Sequence, residues 1–209
     1  NAPLDDPRHV RHACESALTM FQKLDELNFE LKEEARAEGN EPLPLKVGIG
    51  LNTGECIVGN MGSAQRFDYS VLGDAVNLAS RLEGQSKNYG VDIVIGEDTY
   101  AVAKQHFATI ELDLIAVKGK AEAVQIYALL GDEKQKDDAS FKKLCEQHET
   151  MLRRYREQDW EGARKSLEHC RQLDTRLETL YQMYNERIDL YLQAPPEAAW
   201  SGIYIATTK

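Results

Sequence analysis

Apolar residues recur at every third or fourth position through Val10, Cys14, Ala17, Phe21, Leu24 and Leu31, which aligns them along one stripe of a helix. Asp6 is the expected N-cap of that helix and Pro7 its expected first residue; Gly39-Asn40 stops it. After a polar loop through Pro42 and Pro44 the period changes to two. Val47, Ile49 and Leu51 alternate with Gly48 and Gly50, which predicts a buried strand with one glycine face, open to a backbone, a ligand or a close-packed helix. Asn52-Thr53-Gly54-Glu55 predicts a turn into a second strand from Cys56 to Val58, the two strands forming a hairpin.

The segment from Arg66 to Leu82 alternates and then turns at Gly73 into a helix. Ala75, Leu78, Ala79 and Leu82 share one helical face, leaving Asp74, Asn77 and Arg81 on a side that need not meet the core. Val91 to Gly96 reads as a short buried strand and Glu97 to His106 as a short helix. Phe107 to Leu114 and Ala123 to Leu130 read as paired strands, with Lys118-Gly119-Lys120 in the turn between them. This order predicts an α+β sandwich with helices on one side of a largely antiparallel sheet.

Gly131 to Ser140 is charged and reads as a linker and domain boundary. Three helices follow, Phe141 to Arg156, Trp160 to Gln172 and Thr175 to Leu192, and Pro195-Pro196 ends the last. Leu177, Tyr181, Tyr184, Ile188 and Tyr191 form a stripe expected to be packing rather than a binding box. One such three-helix unit is too short for a solenoid. It is expected to pack on itself, on the first domain or on a dimer partner. The organisation is therefore 1–130, a linker over 131–140, and a helical extension over 141–209.

Charge narrows the partners. Twenty-five basic against thirty-five acidic residues give a net charge of −10, which argues against nucleic acid or an anionic membrane surface as the main partner. Cys14, Cys56, Cys145 and Cys170 form no C-x-x-C pair, so reduced thiols in a cytosolic compartment are expected. No apolar run reaches the roughly 18 to 20 residues that span a bilayer. A chain opening on Asn1 with the turn-like APLDDP is expected to be a piece of something longer.

Two familiar motifs fail. GIGLNTG is one residue too long for the dinucleotide fingerprint and lies in strands and a turn, and VKGKA lacks the spacing and the hydroxyl residue of a P-loop. The chemistry resides instead in Asn77 and Arg81, spaced i, i+4 on one helix face. A mediocre helix former in mid-helix, one turn from a five-donor guanidinium, fits a surface that holds an oxygen-rich ligand. The same spacing also fits a solvated face on which Arg81 pairs with Asp74 or Glu83.

GIGLNTGECIVGNMG, followed by RFDYSVLGDAVNLASRLE and later VKGK, closely resembles the C-terminal two-thirds of a class III nucleotidyl cyclase catalytic domain of the bacterial adenylate cyclase type. The helical extension resembles, less specifically, that of bacterial cyclases with an upstream sensor and membrane helices. The resemblance implies a ferredoxin-like-derived cyclase sandwich, here partial, followed by the all-helical tail. It also implies attack of the ATP ribose 3′-oxygen on the α-phosphorus at a site shared by two subunits. Asn77 would orient the ribose and Arg81 would stabilise charge on the α-phosphoryl group. Ser70, seven residues before Asn77, would read the adenine, and Lys120 or its neighbour Lys118 would contact the outer phosphates; Asp68 and Gly73 complete the substrate-binding set.

The resemblance further implies two Mg²⁺ or Mn²⁺ ions whose aspartates lie upstream of this chain, because Asp5 and Asp6 come too late in the pattern. The chain is then half of a site, completed by a homodimer mate or another cyclase subunit, in the cytoplasmic part of a membrane-anchored parent. The alternatives are a guanylate cyclase and a non-catalytic cyclase-homology module for regulation or dimerisation.

Overall fold

Side-chain alternation along three strands decides where the rest of the chain packs. The computed structural model describes residues 4–63, 66–116, 123–197 and 199–205. Strands β4 (Ile93–Gly96), β5 (Ala108–Ala116) and β6 (Ala123–Gly131) form the centre of a five-stranded sheet ordered β1-β4-β6-β5-β7, with β1 at Ile49–Leu51 and β7 at Tyr204–Ile205. β6 runs antiparallel to both neighbours, whereas β1 and β7 join the edges in parallel.

Both faces of this sheet are covered, not one. Ile93, Ile95, Tyr127 and Leu129 pack with Cys14 and Ala17 of α1 (His9–Ala37) and with Ala103 and Phe107 of and beyond α3 (Glu97–Ala103). Their strand neighbours Val94, Ile126 and Ala128 point the opposite way, into a core shared with Leu78, Leu82 and Tyr89 of α2 (Asp74–Tyr89) and with the helical extension. Every residue of β4 is buried. A strand apolar at consecutive positions requires cover on both sides.

Two further expectations change. The strand after Asn52-Glu55 does not pair with β1. It becomes β2 (Ile57–Ser63), which pairs antiparallel with β3 (Arg66–Leu72) in a separate ladder from Ile57 opposite Leu72 to Ser63 opposite Arg66. Asp6 is not the N-cap of α1 and Pro7 is not its first residue: the helix begins at His9. The Asp6 carboxylate instead accepts the Arg8 N–H at 2.9 Å and meets His12 Nδ1 at 2.7 Å, a local bond that short acidic side chains make in place of a cap. Of the apolar stripe on α1, Val10, Cys14 and Ala17 are buried, while Phe21, Leu24 and Leu31 are half-buried.

Aspartates start the C-terminal helices. Asp132 caps α4 (Glu133–Asp137) within the expected linker, Asp138 caps α5 (Ala139–Arg156), and Asp159 caps α6 (Trp160–Leu173). Asp174 caps a 3-10 turn over Thr175–Leu177, which runs into α7 (Glu178–Gln193). Each cap satisfies an otherwise orphaned backbone N–H. Leu177, Tyr181, Tyr184 and Ile188 are buried, with Tyr191 packed against them, in the core that also holds α2. The aromatic stripe is therefore packing, and the extension packs on itself and on the sheet. Among the described residues no helix is long and apolar enough to cross a membrane.

Candidate active site

The α2 helix is seated by residues too small or too polar to stand out in the periodicity. Gly48 and Gly50 bring β1 against it: a Cβ at Gly50 would sit 2.1 Å from the Ala79 carbonyl oxygen and 2.4 Å from the Glu83 nitrogen, both helix backbone. The glycine face of β1 thus takes up a close-packed helix. At the other end, Asn52 Nδ2 donates to the Ala75 carbonyl at 3.1 Å, Gly54 lies against Ala75, and the Thr53 hydroxyl bonds that of Thr99 at 2.8 Å. The segment 52–55, expected only to turn the chain, therefore anchors the first turn of α2.

Gly73 joins β3 to α2 with φ 154°, and a Cβ there would also meet the Glu55 carbonyl oxygen at 3.1 Å. No side chain at Gly73 caps α2, so the helix presents its positive end next to the strand that leads into it. Beyond this junction Leu78 and Leu82 are buried and Asn77 and Arg81 are exposed, the division that the 3.6-residue spacing predicts. Among the described residues Arg81 forms no ion pair with Asp74 or Glu83, and the Asn77 amide makes no hydrogen bond. Of the two readings of this spacing, the internally paired polar face is absent. The seven N–H donors and one acceptor oxygen of a guanidinium and an amide, one turn apart, face outward.

Other expected residues are distributed less tightly. Ser70 is half-buried on β3 opposite Gly59, and Asp68 is exposed opposite Met61; neither bonds Asn77 or Arg81. Gly73, Leu72, Glu55, Cys56 and Ile57 line an open groove at the start of α2. Lys118 and Lys120 lie outside the described residues. The β2–β3 ladder exposes Ile57, Tyr69, Val71 and Leu72, apolar side chains on both of its faces. Among the described residues no cluster of three or more His, Cys, Asp or Glu could hold a metal ion. The Asp6 carboxylate is already engaged by Arg8 and His12. Among the described residues the side chains do not fit a two-metal centre.

The chain is 36% identical over 132 residues to "Adenylate cyclase 1" of Rhizobium meliloti, covering 63% of this chain and 19% of that protein. It is 40% identical over 128 residues to "Adenylate cyclase" of Anabaena cylindrica, covering 59% and 25%. The chain thus spans about a fifth to a quarter of these relatives. Among solved structures, the guanylyl cyclase Cya2 is 30% identical with a TM-score of 0.50, covering 63% of either chain. Because the pattern of the adenylate and guanylate cyclase catalytic domain matches residues 2–131, well over half of the sequence, the chain belongs to that family.

Proposed function

We propose that this chain is the transition-state half of an adenylate cyclase site, in a longer protein that converts ATP to 3′,5′-cyclic AMP and pyrophosphate. One observation carries the reading: among the described residues Asn77 and Arg81 have no side-chain partner, and they stand on the exposed face of a helix whose opposite face is buried in the core. The 3′-oxygen of the ribose bonds to the α-phosphorus as the bond to the pyrophosphate oxygen breaks. Asn77 hydrogen-bonds the ribose and holds the attacking oxygen in line, a proximity effect. Arg81 donates to the α-phosphoryl oxygens as their charge grows. Neither role requires a metal from this chain; the two Mg²⁺ or Mn²⁺ ions of the reading take their aspartates from sequence upstream, on a facing subunit.

A second cyclase subunit completes the site in this reading, and the exposed apolar side chains of the β2–β3 ladder support an association there. Lys120, or its neighbour Lys118, contacts the outer phosphates, Ser70 accepts from the adenine amino group, and Asp68 and Gly73 complete the substrate-binding set. The intact protein is membrane-anchored, with this part on the cytoplasmic side. GTP is the second substrate reading, favoured by the likeness to a guanylyl cyclase structure.

The test uses the longer protein, ATP or GTP, and Mg²⁺ or Mn²⁺. Arg81→Ala should lower the rate of cyclic nucleotide formation on the order of 10²- to 10³-fold with an unchanged circular dichroism spectrum. Normal turnover in that variant removes Arg81 from the chemistry. Preferred turnover of GTP replaces the adenylate reading with the guanylate one.

A further inference from the structure

The last residue of α2 is held by the C-terminal extension through a buried charge. A register shift between Glu111 and Asp113 in β5 leaves Leu112 and Asp113 both buried in succession, as a β-bulge does when it re-aims a side chain. Asp113, 1% exposed, accepts from the Tyr89 hydroxyl at 2.7 Å and from Arg187 Nη1 of α7 at 2.6 Å, both on Oδ2. Its other oxygen accepts the Leu114 N–H at 2.8 Å. The Arg187 guanidinium lies 3.4 Å from the centre of the Tyr204 ring and 5.3 Å from that of Tyr184. Tyr184 donates in turn to the Leu112 carbonyl at 2.6 Å. One residue beyond Tyr89, Gly90 closes α2 at φ 65°, and Thr179 of α7 fills the space where its Cβ would be.

A buried ion pair is a poor source of stability, since apolar side chains of equal volume usually do as well; its better-attested use is to specify one arrangement. We propose that Tyr89, Asp113 and Arg187 are positioning residues, through which the helical extension sets the tilt of α2 and so the placement of Asn77. The inference rests on the reading of that helix as the transition-state half of a cyclase site.

The geometry gives the lever its length. Gly50 contacts α2 between Ala79 and Glu83, so Tyr89 lies about 12 Å beyond that pivot and Asn77 about 6 Å before it, at 1.5 Å per residue. A 1 Å shift at Tyr89 moves Asn77 by about 0.5 Å, the tolerance of a preorganised site, and loads the 3.1 Å bond by which Asn52 holds the Ala75 carbonyl of the first turn. Arg81 sits at the pivot and moves least. Release of the clamp therefore acts on orientation of the ribose, and on kcat more than on KM.

The test compares Tyr89→Phe, which removes only a hydroxyl, with Arg187→Met, and uses Arg164→Ala as control because its exposed pair with Asp189 also joins α6 to α7. In the longer protein, Tyr89→Phe and Arg187→Met should each lower kcat about tenfold with KM for the nucleotide within twofold, and Arg164→Ala should change neither. In the 209-residue chain, amide exchange over residues 74–89 should quicken in the first two variants while β4 and β6 keep their protection. Wild-type kcat in Tyr89→Phe, or unaltered exchange over α2, overturns the proposal. If Arg187→Met does not fold, Tyr89→Phe decides alone. If the wild-type protein forms no cyclic nucleotide, the cyclase reading fails and the exchange experiment still decides whether the extension holds α2.

Discussion

Replacing Gly50 by Ala places a methyl group where the backbone of α2 already lies. The new Cβ would stand 2.1 Å from the Ala79 carbonyl oxygen and 2.4 Å from the Glu83 nitrogen. Close carbon-to-oxygen contacts in proteins settle at about 3.3 Å or more, so β1 and α2 must part by roughly 1 Å. Neither obstructing atom belongs to a side chain that could rotate away. Overpacking of this kind costs about 1 to 3 kcal/mol. With a urea slope on the order of 2 kcal/mol per molar, the unfolding midpoint should fall by about 0.5 to 1.5 M. Gly84→Ala is the matched comparison. It lies within α2, a Cβ there meets nothing within 4 Å, and it should stabilise by about 0.5 to 1 kcal/mol. The assay is urea denaturation of the chain, followed by helical circular dichroism, with cyclic nucleotide formation by the longer protein in parallel. A 1 Å displacement of α2 should also lower the rate about 100-fold. A Gly50→Ala midpoint equal to the wild-type value would refute the close seating of the helix on β1.

Two further outcomes are expected. Burial holds the His148 pKa down to about 4, from an ordinary 6.5, with Nε2 against the Glu111 carbonyl and Nδ1 against the Tyr181 hydroxyl. Between those values the unfolded chain binds a proton that the folded chain refuses, so stability should drop by on the order of 3 kcal/mol as pH falls from 6.5 to 4; denaturation of His148→Gln with an equally steep loss in that window would contradict this. Gly90→Ala combines a left-handed backbone with a Cβ 2.3 Å from Thr179 Cβ, and should lower stability by about 2 to 4 kcal/mol, read from the thermal midpoint; a midpoint within 1 °C of the wild-type value would contradict the tight junction of α2 and α7.

Most helices were legible because their cause is local. The stripe Val10, Cys14, Ala17 and the stripe Leu177, Tyr181, Tyr184, Ile188 carry their period in the residues themselves, and Asp138 and Asp159 act within three positions of their own place in the chain. Strand pairing was less legible. β1 is three residues long, and its alternation says that it is a strand without saying whether its neighbour is the next strand or β4, more than forty residues on. Pairing depends on which edges remain free after the core forms. The separate β2–β3 ladder, the parallel β7 and the cover on both faces of the sheet all follow from that choice.

The site divides in the same way. The sequence by itself determined that Asn77 and Arg81 share one face of a helix opposite Leu78 and Leu82, because four residues make about one turn wherever the helix lies. It also carried the family pattern over residues 2–131. Only the tertiary structure decided that Arg81 stays free of Asp74 and Glu83, that Asn52 and Gly54 anchor the first turn, and that Asp113 joins Tyr89 to Arg187 across 24 and 74 positions of chain. Those partners are selected by the packing of α2 and the extension together on one face of the sheet, and contacts between distant residues leave no period in the sequence to read.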